Sequence, residues 1–584
     1  MNYSEIQNIL NKADFRALPK LHISILRNVM IESMAPYIKF MSYEMGFEAK
    51  LQIGEYDNIV QESMGLKEGL LKNETDCVLI FMKLEGLSWK LARNFAAMEP
   101  KEIHEELQRI KEMIPNILAG IRKQTNSMVL WHSFELPLYP ALGISDSQHS
   151  SGQTGIIQEL NIFLHAALAN YPDAYYVDLN LCLSRLGSKD FYDQRYWHIG
   201  RAPYSLDALR EIAHEDFKFI RPLKGKNKKC LVLDCDNVLW GGVIGEEGLS
   251  GIKLGKTHPG SPYYEFQEEI VNLYHRGILI ALCSKNNSED VWEVFHKHPD
   301  MVLKEKHIVA AQINWEDKAT NLKKIAAQLN IGLDSLVFAD DSEFEVNLVR
   351  QALPEVTVIH LPKDKTVEYK EILASFGLFD TLTVSSEDRQ RGSMYKAEAQ
   401  RQQLQVQTPD LESYLKSLEM EVEIKFADDF TIPRVSQLTQ KTNQFNLTTR
   451  RYSEAEIKKY AGSKDADVLF LRLLDKFGDS GIVGVSILKY KEEKAFLDTF
   501  LLSCRVLGRG IEDLFINQTL KLAKKKGCKV LIGEYLPTPK NVQTKDFLPK
   551  QGFNKKGNIF ELNQALKTGP MFFKRIDSSV DGQD

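Results

Sequence analysis

Residues 228–242 read KKCLVLDCDNVLWGG. The run from Cys230 to Leu233 is apolar without alternation and too short for a helix, which predicts a strand buried on both faces of a parallel sheet. It stops at two carboxylates, Asp234 and Asp236, spaced i and i+2. Period-two alternation puts both on one side at the C-terminal end of the strand, where open α/β sheets gather their sites. One can attack phosphorus while the other handles the leaving-group proton.

Three further segments supply what such chemistry requires. ALCSKNN (281–287) ends a second apolar run and offers Ser284 as a donor to a phosphoryl oxygen. WEDKATNLKKIA (315–326) offers Lys318 as a fixed cation, and LVFADDSEFEV (336–346) offers Asp340 and Asp341. Phosphoryl transfer to a carboxylate gathers negative charge that a hard cation and a positioned lysine offset, so Asp234, Asp236, Asp340 and Asp341 are the expected ligands of Mg²⁺. Each segment alone is weak, since Asp-x-Asp also occurs at solvated strand ends and Asp340–Asp341 also suits a turn. Their order and spacing make the combined reading strong. This set resembles the motifs of the haloacid dehalogenase superfamily, and the resemblance implies Asp234 as nucleophile. Between Asp236 and the second motif there is room only for WGGVIGEEGLSGIKLG and one helix, so no large cap is expected.

Outward from this core, the chain of 584 residues is too long for one domain, and 43% apolar with 26% charged residues is the composition of a folded protein. A net charge of −5 gives no general attraction to nucleic acid. The seven cysteines are scattered without a Cys-x-x-Cys pair, which argues against disulfides or zinc and for a reducing cytoplasm. No signal peptide and no membrane-spanning run is read. Breaks at RPLKGKNKKC (221–230) and at the charged stretch SSEDRQRGSMYKAEAQRQQLQVQ (385–407) predict an α/β domain over 1–225, a Rossmann-like phosphoryl-transfer domain over 226–384, linker helices over 385–418 and an α+β domain over 419–584.

In the last domain, SCRVLGRG (503–510) follows a strand and opens a helix. Its Arg505, Gly508 and Gly510 resemble the pyrophosphate loop of the GCN5-related acyltransferase (GNAT) fold, implying a site for coenzyme A or phosphopantetheine. Arg450, Arg451, Arg505, Arg509 and the lysines of 521–529 are expected to receive an acidic carrier protein, although the lysine run also reads as a solvated helix face. Asp475 and Asp479 read as turn residues. The first domain resembles a degenerate SGNH hydrolase sheet. Its first strand ends ILRNVMIES, with Asn28 where the nucleophile belongs and Ser33 too far along, and Asp193 and His198 are misspaced for the acid and base, which implies a packing, lid or carrier-docking role.

DCDNVLWGGVIGEEG, KATNLKKIAAQLNIGLDSLVFADDSEFE, TNQFNLTTRRYS, DKFGDSGIVGV and YLPTPKN together are similar to FkbH-like proteins across nearly the whole chain. The resemblance implies an enzyme that draws a glyceryl unit from 1,3-bisphosphoglycerate or a related acyl phosphate, removes phosphate, and loads the unit as a thioester onto an acyl carrier protein in polyketide-type biosynthesis. Two other readings stand beside it: a small-molecule phosphatase carrying a separate coenzyme A-dependent acyltransferase, and a docking scaffold. Cys235, between the two aspartates, has two readings as well. It is either the thiol that holds an acyl group or a small side chain buried under the sheet.

Overall fold

The computed structural model describes residues 2–66, 69–72, 74–383, 389, 391–557, 559–562 and 572–578. The chain forms two compact units, Met1–Lys224 with Ser453–Glu456, and Gly225–Tyr452 with Ile457–Asp584. Among the described residues no helix is long and apolar enough to cross a membrane.

The first unit is built on a parallel sheet of β1 (Lys20–Arg27), β2 (Glu48–Ile53), β3 (Cys77–Phe81), β4 (Met128–His132) and β5 (Ala174–Val177), in the order β2-β1-β3-β4-β5. β3 and β4 are buried along their whole length. On one face Val78, Ile80, Val129 and Trp131 pack against Ile110, Ile114 and Ile117 of helix Pro100–Gln124 and Leu160 and Leu164 of helix Gln153–Ala169. Asn28, just past β1, is a buried clamp: it accepts from the Lys83 amide at 2.6 Å and donates to the Lys83 carbonyl at 2.9 Å. Ser33 lies in the separate one-turn helix Glu32–Met34. Asp193 caps helix Gln194–Gly200 and binds Arg195, while His198 is exposed on that same helix. These residues form no hydrolytic triad.

The second unit opens with another parallel sheet: β6 (Cys230–Leu233), β7 (Leu279–Ser284), β8 (Ile308–Ile313), β9 (Leu336–Asp340) and β10 (Thr357–His360), ordered β10-β9-β6-β7-β8. Both faces are covered, which is why these strands read as unbroken apolar runs. Leu231, Leu233, Ile280 and Leu282 join one buried cluster, and Cys230, Val232, Leu279 and Ala281 another. The order reverses between β6 and β9, which pair directly in the centre of the sheet. Ligands of open α/β sheets lie at such a switch point, beyond the carboxyl ends of the strands. Between Asp236 and β7 the chain makes only helix Ile244–Gly251, a bridge between Gly241 and Lys253, and helix Ser261–His275.

The linker stretch begins at Ser385, Ser386, Glu387 and Asp388, which with Gln390 lie outside the described residues. Its remainder is helix Arg391–Gln407, followed by helix Leu411–Ser417.

A mixed sheet completes the unit: β11 (Met420–Phe426), β12 (Phe445–Asn446), β13 (Ala466–Asp475), β14 (Gly478–Lys491), β15 (Lys494–Leu502), β16 (Val530–Glu534), β17 (Asn554–Lys556), β18 (Ile559–Leu562) and β19 (Phe573–Ser578). β13, β14 and β15 are antiparallel neighbours, and helix Ile511–Lys525 carries the chain from β15 to its parallel partner β16. β15 and β16 pair only as far as Leu497 and Gly533, and β12 then occupies the edge of β15, Phe445 opposite Leu502 and Asn446 opposite Leu501. Leu447 continues the insertion, donating to the Phe500 carbonyl and accepting from the Leu536 amide.

Candidate active site

Asp234 follows β6, and its amide donates to the Ala339 carbonyl of β9 at 3.1 Å. Since Leu233 and Ala339 are register partners, Asp234 and Asp340 emerge side by side at the switch point. Lys318 comes from the first position of helix Lys318–Gln328, whose start is fixed by Asp317, the cap that accepts from the Thr320 amide at 2.8 Å. A cation at a helix N-terminus opposes the helix dipole, so this one is held by other charges. Its Nζ lies 2.6 Å from Asp234 Oδ1, 3.1 Å from Asp340 Oδ2, and donates to the Cys283 carbonyl at 2.7 Å. Lys318 is 2% exposed, Asp340 1% and Asp234 9%, so these charges interact with little screening.

Asp234, Asp340 and Asp341 each bring a carboxylate oxygen within 4.8 Å of the others. At that separation each pair repels by roughly 3 kcal/mol at an effective dielectric of about 20. One buried lysine does not balance three carboxylates, and Lys363, 3.1 Å from Asp341 Oδ2, is largely exposed. The imbalance is visible in the proton affinities. Burial pushes the Asp340 carboxyl up to about 6 despite Lys318 beside it. Burial, and then the charge of Asp234, raise Asp341 as well. Burial pulls the Lys318 ammonium down, but Asp234 and Asp340 outweigh it and hold it above its ordinary range. Asp340 Oδ1 accepts from the Ser342 amide at 2.8 Å, whereas the buried Oδ2 has no hydrogen-bond donor, its approach to Lys318 being an ion pair without hydrogen-bond geometry. Three oxygen donors, an excess of negative charge and one unsatisfied buried oxygen fit a hard divalent cation such as Mg²⁺.

Of the four aspartates expected as ligands, the Asp236 side chain lies outside this trio. Its Oδ1 accepts from Trp240 Nε1 at 2.9 Å and from the Ile244 amide at 3.2 Å, and its Oδ2 from Asn286 Nδ2 at 2.9 Å. Burial nonetheless raises it above the usual carboxyl range, against those donors. Ser284 stands at the end of β7, 1% exposed, its Oγ accepting from Asn286 at 3.2 Å. Asn286 thus bridges Asp236 and Ser284. It escaped the sequence reading although it follows Ser284 at the same i+2 spacing that links the two aspartates.

Cys235 departs from the acyl-holding thiol. It continues the face of Leu231 and Leu233, is fully buried in their cluster with Val238, Leu239 and Trp240, and its thiol is pushed well above the ordinary range by burial and by Asp234. The thiolate is the nucleophilic form, and this environment suppresses it.

The loop expected to cradle a pyrophosphate is already satisfied. Gly508 and Gly510 both have φ of +76°, in the left-handed region that favours glycine, but the Gly508 amide donates to the chain's own Glu512 Oε1 at 2.6 Å. A carboxylate of the helix therefore stands where an incoming anion would bind. Arg509 is turned inward to Glu398 at 2.6 Å and Asp475 at 3.3 Å. Asp475, at the β13–β14 turn where its Oδ1 accepts from the Phe477 amide, has its side chain buried beneath a two-pronged contact from Arg401 at 2.7 Å on each oxygen. Arg450 is held by Asp498 and Glu534. Arg450 and Arg509 are thus engaged in ion pairs within the chain, while Lys521 and Lys524 to Lys526 are solvent-facing.

A double parallel-sheet chain with a buried lysine among three switch-point carboxylates is the class that fold and site define. No protein-family model matches the chain, and a search of curated proteins returns no match. Among solved structures, the chain is similar to the N-terminal part of protein BF1531 from Bacteroides fragilis, which contains a phosphatase domain and was crystallised with Mg: 31% identity, TM-score 0.59, covering 66% of this chain and 100% of that one. The chain belongs to the family of that Bacteroides protein. Weaker likenesses are to the ribosomal-protein-S18-alanine N-acetyltransferase of Escherichia coli (13% identity, TM-score 0.21, 26% of this chain and 99% of that one) and to the PaiA N-acetyltransferase of Thermoplasma acidophilum in complex with coenzyme A (21%, 0.18, 24% and 96%). At these similarities neither bears on the chemistry of this chain.

Proposed function

We propose that the chain is a Mg²⁺-dependent phosphoryl-transfer enzyme of the haloacid dehalogenase type with Asp234 as its nucleophile. Within that class it acts as an FkbH-like protein, removing phosphate from 1,3-bisphosphoglycerate or a related acyl phosphate and delivering a glyceryl unit to an acyl carrier protein. The observation that carries the reading is the convergence of Asp234, Lys318, Asp340 and Asp341 at the β6–β9 switch point. The phosphatase domain and Mg of the Bacteroides fragilis relative support it, and the FkbH-like motifs supply the substrate and carrier.

Mg²⁺, held by Asp234, Asp340 and Asp341, would supply Lewis-acid neutralisation of the phosphoryl oxygens. An Asp234 oxygen attacks the phosphorus of the C3 phosphate ester, the bond from that phosphorus to the C3 oxygen breaks, and the Asp236 carboxyl gives its proton to that oxygen, leaving the acyl phosphate intact for the thiol. Trp240, Asn286 and the Ile244 amide fix Asp236 for this step. Water then attacks the aspartyl phosphate, and Asp236 takes up its proton. Lys318 offsets charge on Asp234 throughout. With Cys235 packed away, the carrier's own phosphopantetheine thiol attacks the acyl carbonyl directly, forming the C–S bond as the C–O bond to phosphate breaks. Trp315, on the loop before Lys318, and Phe344, in the first turn of the helix Glu343–Ala352 that follows Asp340, are both largely exposed and provide an apolar rim for that arm. Separate acyl transfer from coenzyme A is not part of this reading, because Glu512 closes the Gly508 amide.

The test incubates the protein with 1,3-bisphosphoglycerate, Mg²⁺ and a panel of holo-carrier proteins, reading phosphate release and carrier mass. A glyceryl mass shift without retained phosphate, lost in Asp234→Asn, supports the proposal. A glyceryl mass shift without retained phosphate that survives Asp234→Asn overturns it.

A further inference from the structure

The second unit holds a cavity of about 330 Å³ far from the carboxylate centre. Its walls come from the opposite edge of the β6–β10 sheet, from helix Arg391–Gln407, and from the segments before β12, after β15 and after β16. Lys229 immediately precedes β6 and Asp234 follows it, so five extended residues, about 16 Å, separate the two sites along one strand.

The lining is strongly cationic. Lys229, Arg391, Arg434, Lys441, Arg505 and Lys540 all contribute, and Asp334, ion-paired with Lys540, is the one carboxylate lining the cavity among the described residues. Two of the cations are enclosed without a carboxylate contact. Arg505 donates to Ser503 Oγ at 3.3 Å and reaches Met394 Sδ at 2.7 Å, and Lys229 Nζ donates weakly to the Lys441 carbonyl at 3.4 Å. Just behind the wall, Arg451 donates to Asn443 Oδ1 at 2.7 Å and leaves Nη1 buried without an acceptor. Burial pulls Lys229 and Arg505 below their ordinary values and Arg451 down to about 10. Like-charged groups gathered in a low-dielectric recess are costly unless an anion stands among them. The loop amides of Gly508 and Gly510 do not line this cavity, so it is separate from the closed pyrophosphate loop.

We infer that this cavity is a binding site for a small anion bearing two phosphoryl groups, a diphosphate ester or a bisphosphate, with Arg505 and Lys229 at its base and Lys540 at its rim. The volume exceeds what a single phosphate fills and lies at the lower end of ordinary ligand pockets. Planar guanidinium groups suit phosphoryl oxygens, which two contacts per group can hold. The site is independent of the function proposed for Asp234 and stands or falls separately from it.

The experiment is isothermal titration of the full-length protein with inorganic pyrophosphate, in buffer with EDTA so that no divalent metal assists binding at the carboxylates. Saturable binding is expected, weakened at least about tenfold by Arg505→Gln and by Lys540→Gln, and unchanged by Asp234→Asn. Lys540 is at the rim, so its variant keeps the test decisive if Arg505→Gln fails to fold. Orthophosphate serves as a second titrant and binds more weakly. No saturable pyrophosphate binding, binding undiminished in a folded variant, or binding lost in Asp234→Asn each overturns the inference.

Discussion

The Lys318 ammonium lies 2.6 Å from the Asp234 carboxylate and 3.1 Å from that of Asp340, so one buried cation spans the ends of two neighbouring strands. Removing it leaves three carboxylates crowded together. Lys318→Met is expected to lower phosphate release by about 10²–10³-fold, the scale for loss of one preorganised electrostatic group. It should also lower Tm in EDTA, with Mg²⁺ recovering part of the loss. Phosphate-release kinetics and thermal melts with and without Mg²⁺ check both.

Asp340 makes metal binding pH-dependent. Its folded-state value of about 6 lies above the ordinary carboxyl value of 3.8, so between these limits the folded state binds more protons than the unfolded state. Its contribution to the stability of the metal-free protein therefore increases as pH falls from about 6 toward 4. Mg²⁺ requires the ionised form, so affinity is expected to decline toward about tenfold per unit below pH 6. Mg²⁺ titrations between pH 5 and 8, on wild type and Asp340→Asn, measure it; an affinity flat across that range contradicts the assignment.

Cys235→Ala is expected to leave carrier acylation within about threefold of wild type, with a stability loss of about 1 kcal/mol from a small cavity in the Leu231–Trp240 cluster. Intact-mass kinetics of the carrier, beside a chemical melt, separate the two effects. Abolished acylation by a folded variant restores the thiol to the mechanism.

The buried group of Glu398, Arg401, Asp475 and Arg509 predicts a purely structural phenotype. Arg401→Met leaves Asp475 with the Phe477 amide and the longer contact to Arg509 and should cost about 3–5 kcal/mol. Denaturant melts report the loss, while phosphate release per folded molecule should remain unchanged.

The legibility of the sequence followed the physics of burial. β6 to β10 are recognisable because strands covered on both faces read as apolar runs, and Asp234, Lys318 and Asp340 because they sit at the ends of elements. β4 carries a weak signal: MVLWH is short and ends in His132, a polar residue made tolerable by buried bonds to the Ile80 carbonyl and to Asp216. The alternating β11 and the two-residue β12 carry still weaker signals. Side-chain partnerships lay beyond reach because they join distant positions, as when Asn286 finds Asp236, Arg509 finds Asp475, or Glu512 turns back on Gly508. The first of these holds the Asp236 carboxylate apart from the other three aspartates, and the others give expected ligand groups partners within the chain.

Register has one last consequence. β6 is bonded on both sides, to β7 and to β9, and its side chains alternate between two buried clusters. A slip by a single residue would turn the Asp234 carboxylate into the apolar cluster and carry the Cys235 sulfur out to the rim. The stretch 228–242 thus carries an oxygen and a sulfur at adjacent positions, and it is the parity of the hydrogen-bond ladder that presents the Asp234 oxygen beside Asp340 and packs the Cys235 sulfur away.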